Sequence, residues 1–233
     1  MVSFQTIEVA GFLPAIAGMR HPLKSYNKAD SKHDEEGNIR IGKNDYDLAR
    51  RLCQAGSPEH AKFLRQIQVW VNITAPRFWW AEEATYKIGT VENSQSTMHT
   101  LIRDGIKEED VAFNFGENNI DLADDNMFDF IDNVMRDYLS NLDLIINYYK
   151  TIDSNKKDIK DQCFEKIKAM LPEGFFQTRM VSLNYEVLRN MYRQRKNHRL
   201  SGWNTDFVNW IETLPMSEWI TGNFSEPKNV IDE

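Results

Sequence analysis

An eight-residue stretch with a period of two constrains the fold more than any other part of the sequence. β-Branched aliphatic residues occupy every second position from 67 to 74, as Ile67, Val69, Val71 and Ile73. This period is typical of a β-strand that buries one face. Ala75-Pro76 ends the run, and proline suits the first turn of a helix because its missing N–H is not needed there. The chain therefore contains at least one regular strand, followed by a helix.

The remaining patterns predict an α+β fold with a strand-rich first half and a mostly helical second half. Asn44 or Asp45 is the predicted cap of one helix, and Gly56-Ser57-Pro58 ends that helix after about Ala55. No linker or internal repeat divides the sequence, so we expect a single domain spanning 1–233. The predicted strands lie at 2–10, 12–17 and 67–74, the loops at 24–44, 89–97 and 107–126, the helices at 45–55, 77–88, 127–150, 155–170, 179–200 and 204–213, and a loose tail from Gly222 onward.

The charge of the chain argues against nonspecific nucleic-acid binding, because the net charge is −7 over 233 residues. That charge is uneven. Residues 104–137 are rich in Asp and Glu, whereas the stretch from Arg189 to Arg199 is basic. The basic stretch is the more informative of the two for function.

Low cysteine usage and the short length of the apolar runs predict an intracellular protein. Cys53 and Cys163 are far apart and lie among apolar residues, which predicts buried, inert thiols in a reducing compartment. We expect no signal peptide and no membrane span, and hence a cytoplasmic protein. No metal site is predicted, since three histidines lack partners at ligand spacing, namely His21, His33 and His99.

Two motif blocks carry a resemblance to a known family. The first is Ser57-Pro58-Glu59-His60, followed by the strand and Ala75-Pro76. The other is Leu171-Pro172, with Asn184 twelve residues after the proline and then Leu188, Asn190 and Arg195. Over about 140 residues, the chain resembles the flavin-dependent thymidylate synthases.

The resemblance implies a fold, an assembly and a reaction. The fold would be a mixed sheet packed with helices, and the assembly a homotetramer with its site between subunits. FAD would carry a one-carbon unit from methylenetetrahydrofolate to C5 of dUMP, with NADPH as reductant. The flavin contacts that it implies are Ser57, Glu59, Thr85, Tyr86, Lys87, Asn184, Asn190 and Arg195.

The sequence departs from the family where the catalytic loop should lie. The signature Arg-His-Arg falls on Thr85-Tyr86-Lys87. The pyrimidine nucleotide would then be bound by a substituted set, which consists of Asn93, Gln95, Thr97 and Lys168. Three functions follow as alternatives: an active flavoenzyme acting on dUMP or a related nucleotide, a flavin- or nucleotide-binding protein without methyl transfer, and a non-catalytic scaffold.

An ideal helix through 184–198 gives a second argument for flavin binding. At 100° per residue, Leu188, Met191 and Arg195 all return to within about 40° of Asn184. This face is polar, then apolar and then basic, which suits an extended cofactor. On the same ideal helix, Arg193 lies on the opposite side from this face. The alternative is that Leu188 and Met191 belong to the core and that the arginines are solvated.

Overall fold

A computed structural model describes residues 1–57, 59–112, 125–224 and 230–231. Short 3₁₀ turns connect several elements, and a π-helical turn at Gly202–Phe207 leads into the eighth helix. The strands are β1 (Ser3–Ala10), β2 (Lys32–His33), β3 (Ile39–Gly42), β4 (Gln68–Pro76), β5 (Thr90–Ser94), β6 (Phe176–Asn184) and β7 (Val230–Ile231). The helices are α1 (Phe12–Arg20), α2 (Lys43–Gln54), α3 (Arg77–Glu83), α4 (Thr97–Asp104), α5 (Asp125–Thr151), α6 (Lys157–Ala169), α7 (Tyr185–Arg195), α8 (Val208–Thr213) and α9 (Glu218–Thr221).

The strands form two sheets, which confirms the α+β prediction. The larger sheet has the order β1-β4-β6-β5, and the smaller one has the order β2-β3-β7. In the smaller sheet, β2 pairs antiparallel with β3, with Lys32 opposite Arg40. β7 pairs parallel with β3, with Ile41 opposite Val230. Both pairing directions therefore occur in this fold.

The chain divides into two compact units. The first unit contains Thr74–Glu83 and Ser94–Arg179, and the second contains Val2–Ile73, Ala84–Asn93 and Met180–Glu233. The expectation of one domain for the whole chain stays a prediction.

The first unit has an aliphatic core around α4, α5 and α6. The repeat of apolar residues along these helices turns one face of each toward the others, which is how an amphipathic helix gains stability in a globular fold. The buried members of this core are Leu101, Ile106, Val111, Leu139, Leu142, Ile146, Ile167, Leu171 and Phe175.

The second unit combines an aromatic core with a buried ion pair. Phe12 and Tyr185 meet edge to face, with ring centroids 5.7 Å apart. Arg20 lies 2.7 Å from the carboxylate of Asp45, and both side chains are buried. Two backbone N–H groups, those of Asp30 and Ser31, also donate to Asp45 at 2.9 Å. These contacts keep the Asp45 pKa low even though burial opposes ionisation.

Capping of α2 corrects one sequence prediction. Neither Asn44 nor Asp45 is the cap, because both lie inside the helix and Gly42 precedes it. The carboxylate of Asp30 accepts instead from the backbone N–H groups of Asn44 at 2.7 Å and Asp45 at 3.0 Å. A residue distant in sequence therefore satisfies the first turn, which helical spacing alone does not reveal.

Several predicted elements are confirmed. Strand β4 matches the alternating run, and Val69, Val71 and Ile73 on one of its faces are buried. Helices α5 and α6 match the predictions at 127–150 and 155–170, and the π turn with α8 matches 204–213.

Six further predictions of local structure are wrong, and one of them is the loose tail from Gly222 onward, which contains strand β7 paired with β3. The residues at 12–17 form helix α1, and the predicted loops at 24–44 and 89–97 contain β2, β3 and β5. The helix predicted at 77–88 ends at Glu83, and the helix predicted at 179–200 is strand β6 as far as Asn184 and then α7. Pairing within a sheet overrode local propensity in β5 and β6. Pro58, most of the acidic loop and part of the tail lie outside the described residues.

Candidate functional site

A cleft of about 630 Å³ opens in the second unit beside α7. We call it the α7 cleft. Its wall comes from the end of α2 and the turn after it, the 3₁₀ turn at Lys62–Gln66, the residues before β5, and the junction of β6 with α7. The lining residues are Cys53, Gly56, Ser57, Ala61, Arg65, Ile88, Gly89, Asn184, Glu186, Val187, Arg189, Asn190 and Arg193.

Asn184 is fixed where β6 becomes α7. Its backbone is extended, and its side-chain Oδ1 accepts from the Val187 N–H at 3.0 Å, as an N-cap residue does. On the next turn, Asn190 Oδ1 accepts from Gln194 Nε2 at 3.0 Å. Each amide oxygen therefore already accepts one hydrogen bond from the chain, and the NH₂ group of each amide can donate to a ligand.

Gly89 lies tight against this junction. Its φ of +81° is in the left-handed region, which glycine adopts without a steric cost. A Cβ added there would lie 3.0 Å from Val187 Cγ2 and 3.2 Å from Asn184 Nδ2. The absence of a side chain at Gly89 therefore keeps the space around the Asn184 amide open.

Three arginines and one glutamate give the α7 cleft a positive balance. Arg65 is paired with Glu186, with Nη2 to Oε1 at 3.1 Å. Arg189 is buried, and its Nη2 donates to the backbone carbonyl of Cys53 at 2.5 Å. Within the described parts of the chain, neither Arg189 nor Arg193 forms an ion pair. Burial lowers the pKa of Arg189, although a guanidinium remains charged at neutral pH.

Cys53 contributes an unreactive thiol to the wall. It is buried, and burial raises the pKa of its thiol to about 11. The thiol is therefore protonated at neutral pH and is a poor nucleophile. The prediction of a buried thiol is confirmed for Cys53, whereas Cys163 is partly exposed.

Three of the sequence-predicted flavin residues lie together on this wall: Ser57, Asn184 and Asn190. Glu59 is exposed in the adjacent turn and is not a lining residue. Their flavin contacts stay predictions.

Two further predicted flavin residues contact each other elsewhere in the second unit. Arg195 Nε donates to Tyr86 Oη at 2.9 Å, and Tyr86 Oη donates to Gln194 Oε1 at 2.9 Å. The Arg195 guanidinium also lies 4.9 Å from the Trp203 ring centroid. We call these four residues the Tyr86 cluster. Thr85 and Lys87, on either side of Tyr86, are exposed.

The predicted nucleotide residues are distributed over both units. In the first unit, Lys168 Nζ donates to the hydroxyl of Thr97, which is buried. Burial and the nearby Arg77 charge lower the pKa of Lys168. Gln95 is exposed and donates its backbone N–H to Thr178 O at 2.9 Å, and Asn93 is exposed in the second unit.

The prediction of a ligand-binding helix face that starts at Asn184 is wrong. Asn184 precedes α7 and is not part of it, so angles measured from it on an ideal helix do not apply. Leu188 and Met191 are buried in the core. Arg193, which that argument placed opposite the ligand, lines the α7 cleft.

Sequence reasoning did not select Arg65, Arg189 or Arg193. The basic stretch from Arg189 was a signal, and the spacing of four between Arg189 and Arg193 puts both on one helix face. Which face is turned to a ligand depends on where α7 begins, and that boundary was wrong.

Neither a membrane-spanning helix nor a cluster of metal ligands occurs among the described residues. No helix among them is both long and apolar enough to cross a membrane. No group of three or more His, Cys, Asp and Glu side chains in the same ranges is arranged to hold a metal ion.

Comparison with known proteins identifies the fold. No protein-family model matches the chain, and no curated protein sequence matches it. Among solved structures, it is similar to thymidylate synthase X (ThyX) from Helicobacter pylori with FAD and dUMP, with a TM-score of 0.67, 16% identity, and coverage of 95% of this chain and 97% of that one. A second structure of flavin-dependent ThyX from Helicobacter pylori, complexed with FAD and dUMP, gives a TM-score of 0.64, 16% identity, and coverage of 94% and 97%. The chain therefore has the fold of a flavin-dependent thymidylate synthase.

Proposed function

We propose that this chain binds FAD in the α7 cleft. The observation that carries the proposal is the excess of hydrogen-bond donors on the cleft wall. Two asparagine NH₂ groups, the Ser57 hydroxyl and the guanidinium groups converge on one space of about 630 Å³. Such a wall suits a ligand rich in acceptors, and a flavin dinucleotide has carbonyl oxygens at one end and phosphates along its length.

The residues present fit this group in three respects. Ala61, Ile88 and Val187 offer apolar contact for a flat ring. Ile88 is 92% exposed, so a ring that packs on it would remove apolar surface from water. The similar ThyX structures contain FAD, which supports the same cofactor here.

We propose further that the flavin serves a reductive methylation of a pyrimidine deoxynucleotide, dUMP or a relative. When bound, FAD would supply the redox and one-carbon chemistry of the reaction. The chain would bind and orient the flavin through Ser57, Asn184 and Asn190, with Glu59, Tyr86 and Arg195 as further predicted contacts, and it would exclude water with the apolar wall. Methylenetetrahydrofolate as carbon donor, NADPH as reductant and a homotetrameric assembly belong to the same proposal.

Titration with FAD tests the proposal. Saturable quenching of flavin fluorescence at micromolar FAD is the expected result. An Asn184→Ala variant should bind more weakly, and an Asn223→Ala variant serves as its matched control because Asn223 is exposed and outside the cleft. Absence of binding at high micromolar FAD would remove both flavin functions and leave a nucleotide-binding protein or a scaffold.

A second candidate is a flavin- or nucleotide-binding protein without thymidylate synthase activity. The observation that favours it lies in the first unit, where Lys168 and Thr97 satisfy each other at positions where the family has arginines. Lysine lacks the planar fork that binds a phosphate through two hydrogen bonds, and threonine lacks the charge.

Affinity for dUMP separates the two candidates. If each lost charge-assisted contact costs about 1.5–3 kcal/mol, dUMP should bind roughly two to four powers of ten more weakly than with both arginines. Calorimetry on the flavin-loaded protein measures this, and Lys168→Arg should recover part of the affinity. Tight dUMP binding by the unmodified chain, together with growth of a thymidine auxotroph, would exclude the second candidate.

A further inference from the structure

Arg189 carries a buried charge that forms no ion pair with the described residues, and the Glu186 carboxylate on the same helix, which is paired with Arg65, acts on it only at longer range. Arg189 is 8% exposed, and its Nε has no hydrogen-bond partner among the residues that the structure describes. Its Nη2 donates to the Cys53 carbonyl, which is a neutral acceptor. No carboxylate of the described residues lies within ion-pair distance of the Arg189 guanidinium. A buried guanidinium without a counter-charge is costly, since proteins normally pair such groups. Arg189 also lines the α7 cleft, so a ligand bound there can supply the missing anion.

Arg193 adds a second cation one helical turn further along. Residues four apart on a helix share a face, with Cβ atoms about 5–6 Å apart. Arg193 is exposed, lines the same cleft and forms no ion pair in the part of the chain that the structure describes. The third cleft arginine differs, because Arg65 already binds Glu186. Two adjacent guanidinium groups therefore remain for an anionic ligand.

We propose that Arg189 and Arg193 form a diphosphate-binding subsite. A guanidinium binds phosphate oxygens through two parallel hydrogen bonds, and two guanidiniums one turn apart match two linked phosphates better than one. The ligand class is a diphosphate ester, such as a nucleoside diphosphate or the diphosphate of a dinucleotide. If the proposed function is correct, these two residues bind the phosphate segment of FAD, and in this respect the assignment rests on the proposed function. The sequence resemblance selects neither residue.

A purely structural role for Arg189 is the competing explanation. Its bond to Cys53 satisfies a carbonyl in the last turn of α2, which a helix end needs. That role uses one N–H group and does not involve Arg193. Because Arg189→Ala could unfold the protein, the main test uses Arg193→Gln, which removes charge from an exposed side chain.

Calorimetry with ADP, AMP and inorganic pyrophosphate tests the subsite without flavin. The unmodified protein should bind ADP about 10-fold or more tightly than AMP and should also bind pyrophosphate, since each charge-assisted contact contributes roughly 10- to 150-fold. Arg193→Gln should reduce the ADP preference to below about 3-fold. Arg199→Gln is the matched control, because Arg199 is exposed and lies outside the cleft, and it should retain the preference.

Arg189→Lys completes the test. Lysine keeps the charge but loses the fork, so ADP should bind more weakly while the melting temperature stays within a few degrees of the unmodified protein. The subsite proposal is overturned if the unmodified protein does not distinguish ADP from AMP, or if the preference survives Arg193→Gln.

The subsite and the proposed function can fail separately. If FAD does not bind but the ADP preference depends on Arg193, the diphosphate subsite stands and the flavin function falls. If FAD binds and Arg193→Gln weakens FAD no more than riboflavin, which has no phosphate, the flavin function stands and the subsite falls.

Discussion

The α7 cleft and the Tyr86 cluster use arginines from the same helix in opposite ways. In the cluster, Arg195 has a hydroxyl partner at 2.9 Å and the faces of two aromatic rings, Tyr86 and Trp203. In the cleft, Arg189 is more deeply buried, and its hydrogen-bond partner among the described residues is the Cys53 carbonyl. The neighbours of Arg195 satisfy it, so it contributes to folding whether or not it also contacts FAD, whereas Arg189 is the buried arginine for which we propose an anionic ligand. Basic residues in one stretch of sequence can therefore have different functions.

The largest expected effect that tests this comparison concerns stability. Arg195→Ala removes a charge-assisted hydrogen bond and two cation–π contacts, and should lower the free energy of unfolding by about 2 kcal/mol. Arg193→Ala removes an exposed side chain and should change it by less than about 0.5 kcal/mol. Urea denaturation of both variants measures the difference. Equal effects would show that the Tyr86 cluster is no more structural than the cleft arginine.

A smaller effect is expected at Gly89. Alanine at its φ of +81° should cost about 1–2 kcal/mol of stability, and its Cβ would crowd Val187 and Asn184. FAD should then bind about five-fold more weakly or worse, which corresponds to roughly 1 kcal/mol.

Gly222→Ala provides the control for Gly89→Ala. Gly222 has a φ of +82° with nothing within 4 Å of an added Cβ, and it lies outside the cleft. It should lose similar stability and keep its FAD affinity, measured by denaturation and fluorescence titration. If both variants bind FAD equally well, the space beside the Asn184 amide is not part of the binding site.

The fold was more predictable than the site, and the reason is the range of the interactions involved. β4 shows its period of two within eight residues, and α5 and α6 show helical periodicity over longer stretches, so local sequence is sufficient for these elements. The run that forms α1 is apolar at both strand and helix spacing, so its pattern alone does not distinguish a strand from a helix. Strand β6 gains its stability from neighbouring strands distant in sequence.

The candidate site depends on those non-local contacts. Ser57, Asn184 and Asn190 could be selected from motif spacing, and they line one cleft. The direction of each arginine could not be predicted, because it depends on α7 beginning at Tyr185, after the Asn184 cap. Because the expected directions were measured from Asn184, which lies before α7, Arg195 was assigned to the ligand side and Arg193 to the opposite side.

Because Asp30 caps α2, the part of the cleft wall at the end of α2 depends on the chain segment that connects Asp30 to the helix. α2 ends at the residues that lead into Ser57, while its first turn is held by Asp30, which precedes the hairpin of β2 and β3. Proteolytic cleavage in the exposed turn around Gly37 would leave every cleft residue intact. It would break the covalent connection between Asp30 and α2, so that Asp30 would be held to the helix only by noncovalent contacts. Loop closure would then have to be recovered between two separate chain ends, at an entropic cost. Limited digestion at this turn would thus loosen the cleft from a position outside the lining residues.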